Sequence, residues 1–79
     1  MKLRITSPTR NRTESVSWIE INTTRGNFVI QDGHVPMIIT LKPNSPVLFC
    51  LENEIQEAVS ISTGIAHITR ESVTLIISE

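Results

Sequence analysis

The stretch GNFVIQDGHVP, residues 26–36, followed directly by MIITLKP, residues 37–43, decides how this chain is read. It combines a turn glycine, a short apolar strand at 28–30, a second turn on Asp32-Gly33, a histidine, and a proline that opens another apolar strand. Asp-Gly tolerates positive φ, so 28–30 is predicted to fold back onto 37–41 as a hairpin, with Pro36 fixing the direction into the second strand. That leaves His34 at a loop tip.

The rest of the chain agrees with strands. Ile, Val and Thr account for 27 residues against 7 for Ala and Leu together, and side chains branched at Cβ suit a pleated sheet better than a helix. Leu3 and Ile5 alternate with Lys2, Arg4 and Thr6; Val59, Ile61 and Thr63 with Ala58, Ser60 and Ser62; Val73, Leu75 and Ile77 with Thr74, Ile76 and Ser78. Such a period of two marks half-buried strands. Turn signals separate them at 7–9, 24–26, 31–33, 42–46, 52–54, around Gly64, and at 70–72. The fold class is therefore all-β: a small β-sandwich or flattened barrel of short antiparallel strands, one domain over residues 1–79, without a C-terminal helical hairpin. A chain this short removes only about 60% of its surface from water, which leaves nothing for a second core.

Two segments fit poorly. Val16 and Trp18 point one way in a regular strand while Ile19 and Ile21 point the other, which a bulge near Trp18 reconciles. In 37–41, Met37, Ile39 and Leu41 form one face and Ile38 adds an apolar group to the other. Such a strand is either central or a partner surface.

Little here supports catalysis. The chain has one Asp and no Tyr, and no nucleophile has a base beside it. His34, Cys50 and His67 lack the spacing of a zinc site, and Gly26, Gly33 and Gly64 are too dispersed to cradle phosphate. Glu52, Glu54 and Glu57 read as a solvated cluster around a hairpin turn, His67 as a satisfied or half-exposed strand residue, and Cys50, inside VLFCL, as a small core residue. No catalytic residue, cofactor or metal is expected. The first 42 residues carry six basic and three acidic groups, the remainder one and five. With two Phe and one Trp, that asymmetry is weak support for nucleic acid. No apolar run approaches a membrane span, and the basic N-terminus lacks the apolar block of an export signal, so a cytoplasmic protein is expected.

The order and spacing of Gly26, Phe28, Ile30, Gly33-His34, Pro36, Leu41 and Pro43 resemble the N-terminal β-sandwich domain of the epsilon subunit of F-type ATP synthases. LRITSP, residues 3–8, looks like that family's first strand, and SISTGIAHITRESVTLI, residues 60–76, like its late hairpins. The resemblance implies a non-catalytic rotor subunit of the central stalk. Such a subunit binds the gamma subunit and the c-ring, helps couple proton or sodium-ion flow to ATP synthesis, and meets the membrane only through the complex, on its cytoplasmic face. By position in that family, Arg25, Gly26, Asn27, Asp32, Gly33, His34 and Pro36 are the candidate contact tip, with Met37 and Ile38 a gamma-facing strand. The glycines and Pro36 have a turn-shaping role as well.

Departures from the pattern carry expectations too. Asn27 stands where many relatives have an acid, with Arg25 close by, so ring contact is expected to depend less on a carboxylate. Val29 and Asn44 replace common glycines, and Thr23-Thr24 replaces a proline-containing turn. The sequence stops at Glu79, where relatives continue into two helices. If it is complete, the resemblance implies the coupling scaffold without the helical brake on ATP hydrolysis. Two other classes are weighed against this: a free-standing β-sandwich adaptor, and an oligonucleotide-binding barrel, which scarce aromatics and negative net charge oppose.

Overall fold

Alternating apolar and polar residues resolve into eight strands in a computed structural model that describes residues 1–79. They are β1 (Lys2–Thr6), β2 (Asn11–Thr23), β3 (Gly26–Ile30), β4 (Met37–Thr40), β5 (Pro46–Leu51), β6 (Gln56–Ser60), β7 (Thr63–Ile68) and β8 (Ser72–Ser78). There is no helix among them.

The strands form two sheets that share β2. Its first half pairs with β1 in the order β4-β7-β8-β1-β2; its second half lies between β3 and β5, with β6 beyond β5. The changeover is the bulge that the Trp18 pattern called for, a register shift between Val16 and Trp18. An extra residue there rotates the strand, so Val16, Ile19 and Ile21 all become fully buried although their spacing breaks alternation. All pairings are antiparallel except one, β1 with β8, which run parallel from Lys2↔Ser72 to Thr6↔Ile76.

Between the sheets lie Leu3, Ile5, Val16, Ile19, Ile21, Ile30, Leu41, Val47, Phe49, Ile61, Ala66, Ile68, Val73, Leu75 and Ile77. Each large side chain buried in this way contributes about 1.5–3 kcal/mol. Cys50 is buried, as its apolar context implied, and stands directly across from Trp18 in the β2–β5 ladder.

Two expectations need correction. Residues 28–30 do not fold back onto 37–41: β3 pairs with β2, and β4 pairs with β7 in the other sheet. The Asp32-Gly33 turn therefore carries the chain across the sandwich, because each strand buries its apolar face better against the opposite sheet than beside its sequence neighbour. Val59, Ile61 and Thr63 likewise do not share one strand. β6 ends at Ser60 and β7 starts at Thr63, so Ile61 is a buried corner and Gly64 lies inside β7 rather than in a turn. Of the two readings left open for 37–41, the central strand is excluded: β4 is an edge strand, and Ile38 is 70% exposed.

Candidate functional site

The candidate contact residues occupy both ends of β3. Arg25, Gly26 and Asn27 lie at its start, and Asp32, Gly33, His34 and Pro36 follow its end. A five-residue strand separates its ends by about 13 Å at the usual rise. Neighbours in sequence thus form two patches rather than one tip.

The first patch is set by Thr23. Its hydroxyl is buried, donates to the Gly26 carbonyl at 2.9 Å and accepts from the Arg25 N–H at 3.1 Å. This closes the β2–β3 turn, and Gly26 completes it at φ 125°, a geometry that disfavours any side chain. Asn27 is exposed and its amide donates to Asn22 Oδ1 at 3.0 Å. Beside the turn, Thr24 and Arg25 line a groove of about 340 Å³ with Met37, Ile38, Ile39 and Thr40. Arg25 has no ion pair. The structure therefore joins Arg25 to the strand carrying Met37 and Ile38, which sequence order did not suggest. The signal was Leu41, whose burial and bridge to Thr23 bring β4 alongside the end of β2.

The second patch is the crossover loop. Gly33 adopts φ 82°, and its N–H donates to the Arg70 carbonyl at 2.8 Å, tying the loop to the β7–β8 turn. The His34 N–H closes the loop on the Gln31 carbonyl at 3.2 Å. His34 Nδ1 lies 2.8 Å from the Val35 carbonyl; a carbonyl only accepts, so Nδ1 donates in this contact. Asp32 is 3.5 Å from the Met1 amino group but well exposed, so that contact is weak. Val35 is 66% exposed and Pro36 is exposed beside it. His34 has no acid, base or nucleophile among its hydrogen-bond partners, which suits a contact residue better than a catalytic one.

Away from both patches, Glu57 does not join Glu52 and Glu54 in a solvated turn cluster as its sequence context implied, but lies on β6 and pairs with Arg12. Arg12, near the start of β2, donates from Nε to Glu14 at 3.2 Å and from Nη2 to Glu57 on β6, and its guanidinium carbon sits 5.3 Å from the Phe49 ring centroid. The hydrogen bond to Glu57 raises its pKa, partial burial opposes this, and Glu14 adds to the rise. Arg12 bridges the open seam between the two sheets, where Ile5, Val59 and Ile77 floor a cleft of about 320 Å³. β6 pairs with β5 rather than with β2, so this contact arises only when the two sheets close on each other. No three His, Cys, Asp or Glu side chains converge as metal ligands would.

The family model described as ATP synthase, delta/epsilon chain, β-sandwich domain matches residues 1–79. Among solved structures, a chain of the Euglena gracilis mitochondrial ATP synthase superposes with a TM-score of 0.89 at 25% identity, over 98% of this chain and 49% of that one. A chain from the central stalk and c-ring part of the Tetrahymena thermophila mitochondrial ATP synthase gives 0.84 at 14% identity, over 100% of this chain and 63% of that one. The second likeness shows the fold alone. The chain thus spans about half to two thirds of these neighbours. No curated protein matches it.

Proposed function

The chain belongs to the family of ATP synthase delta/epsilon β-sandwich domains, and from that premise we propose that it is a non-catalytic rotor subunit of an F-type ATP synthase. In this reading it binds the gamma subunit and the c-ring at the foot of the central stalk and helps couple proton or sodium-ion flow to ATP synthesis. It lies at the cytoplasmic face of the energy-transducing membrane and meets the lipid only through its partners. The observation that carries the reading is the family match over residues 1–79. The Euglena likeness, in an assembly that contains the c-ring, supports it.

The proposed contacts are the two patches at the ends of β3: Arg25, Gly26 and Asn27 at one, Asp32, Gly33, His34 and Pro36 at the other, with Met37 and Ile38 on the adjoining edge. A turn pinned by the buried Thr23 hydroxyl, and a loop tied by the Gly33 N–H to the Arg70 carbonyl, hold the surface in place, which limits the ordering cost of binding.

Affinity capture of the tagged chain from detergent-solubilised membranes tests the reading. Recovery with a gamma subunit and c-ring, at equal stoichiometry to gamma, is the expected result. Recovery of the chain free of any ATPase subunit overturns it and favours a free-standing adaptor.

A further inference from the structure

The outer face of the sheet β4-β7-β8-β1-β2 is defined by its registers. Leu3, Ala66, Val73 and Leu75 are buried in the core, so the residues that alternate with them point outward. Ile38, His67, Thr74 and Arg4 stand side by side in one outward row, and Thr40, Ile65, Ile76 and Thr6 in the next. Lys2 shares the outward face of β1 with Arg4. The main chain of β7, β8 and β1 is spent on ladders at both sides, so this face offers side chains only.

Two features separate it from an ordinary solvated face. The first is apolar. Six large hydrophobic side chains of the molecule are exposed, and three of them, Ile38, Ile65 and Ile76, are here. Ile65 and Ile76 are direct cross-strand partners, and Ile38 is the diagonal neighbour of Ile65, close enough to make one patch. Strand propensity does not require isoleucine at these places, because threonine, also branched at Cβ, fills positions 6, 40 and 74 beside them. The second feature is charge. Lys2 and Arg4 are exposed at one margin of the patch, and Arg25 lines a groove with Ile38 at the other. None of the three has an ion pair. No outward position of the five strands is acidic: Glu14 stands opposite the buried Leu3 on the inner side, and Glu71 and Glu79 lie beyond the strand ends.

We propose that this face docks a partner protein whose surface presents apolar side chains flanked by carboxylates, the apolar group covering Ile38, Ile65 and Ile76 and the carboxylates meeting Arg4 and Lys2. Arg4 stands three strand spacings from Ile38, about 14 Å, so patch and cations fit within one interface of ordinary size. The inference rests on the proposed stalk role; it extends the partner-facing surface from β4 across the sheet and assigns the chemistry that meets it. Charge selects among occupants. A second copy docked through the same face would set its own Lys2 and Arg4 against these with no carboxylate to pair them. The face has no aromatic side chain on which bases could stack. So few basic residues attract an anionic bilayer only weakly.

The test treats the complex captured by the tagged chain from detergent-solubilised membranes with a carbodiimide, which joins an amine to a carboxylate without a spacer. Mass spectrometry is expected to find Lys2 Nζ in an amide bond with an Asp or Glu of a captured subunit. Lys2→Glu with Arg4→Glu should lower recovery of that subunit about tenfold. Ile65→Thr with Ile76→Thr, which keeps strand propensity and removes apolar surface, should lower it as well, and both double variants should keep a cooperative melt because all four positions are exposed. Undiminished recovery by both folded variants, or coupling of captured subunits only at sites other than Lys2, overturns the proposal and leaves the stalk reading standing. Recovery with no ATPase subunit overturns both. Binding of the wild-type chain to phosphatidylserine vesicles that Lys2→Glu with Arg4→Glu abolishes assigns the face to lipid, and a wild-type dimer that the isoleucine variant abolishes assigns it to self-association; either result overturns the proposal.

Discussion

Single residues show how this chain holds its turns. Asn44 holds φ 57°, a left-handed geometry that Asn tolerates because its short side chain bonds locally. Asn44→Ala is therefore expected to lower unfolding free energy by about 1–2 kcal/mol in urea titrations, with Asn44→Gly close to neutral. Gly64 is needed for a different reason: a Cβ there would meet Ile77 Cγ2 at 2.8 Å and the Ile76 carbonyl at 3.0 Å. Gly64→Ala should cost about 1–3 kcal/mol by forcing β7 away from β8. Arg12 fixes the seam through charge. A raised folded-state pKa gives stability that is fully present below the unfolded value and is lost only as pH rises through the folded one. That window lies in strongly alkaline solution, so at neutral pH Arg12 is a permanent cation. Its side chain is 38% exposed, so Arg12→Gln is expected to cost only about 0.5–1 kcal/mol. The loss should be constant between about pH 7 and 9 and smaller in high salt. A loss that varies across that pH range would show that another titrating group controls the seam.

Among the elements, β2 is the one on which the two sheets depend, since its bulge lets one strand serve both. Deleting Ser17 would remove the extra residue between Val16 and Trp18; Val16, Ile19 and Ile21 would then alternate regularly, but β2 would lose the local bend and added twist that carry it from one sheet to the other. The chain is then expected to lose dispersed amide signals and its cooperative melt. A native-like spectrum would mean that β2 can serve both sheets without the bulge. The same strand shows what was legible in the sequence. The misfit at Trp18 is local, a break in period two, and it announced the bulge. Where each half of β2 finds its partners is set by long-range burial, which local pattern does not encode. Asp32-Gly33 shows the limit most clearly: the pair predicts a reversal correctly, but β3 and β4 separate into different sheets. The candidate residues lie at the two ends of β3 rather than at one tip, because β3 itself stands between them. Arg12 and Glu57, 45 positions apart, were beyond any local reading.

For the whole molecule, size governs how much damage the fold can absorb. Only 17 of 79 residues are buried, and a domain of this length has stability of roughly 4–12 kcal/mol. Phe49 is fully buried at the centre of the core, and Phe49→Ala should remove about 3–5 kcal/mol, a large share of that total. Its neighbour Cys50 is 6% exposed and serves as a built-in reporter, because a buried thiol reacts only when the chain opens. Labelling of Cys50 by an aromatic disulfide reagent is expected to be slow in the native protein. In Phe49→Ala it should be faster by on the order of a hundredfold to a thousandfold. If the wild-type thiol reacts as fast as in the urea-unfolded chain, Cys50 is reached by a local opening and the core does not protect it. Binding to a partner that recognises only the folded sandwich must lower the unfolded population by mass action. Captured in its proposed stalk complex, the Phe49→Ala chain should therefore recover slow labelling. A variant that assembles yet still labels quickly would mean that the partner tolerates an open sandwich, and the rigid surface inferred for the ends of β3 would not be what it recognises.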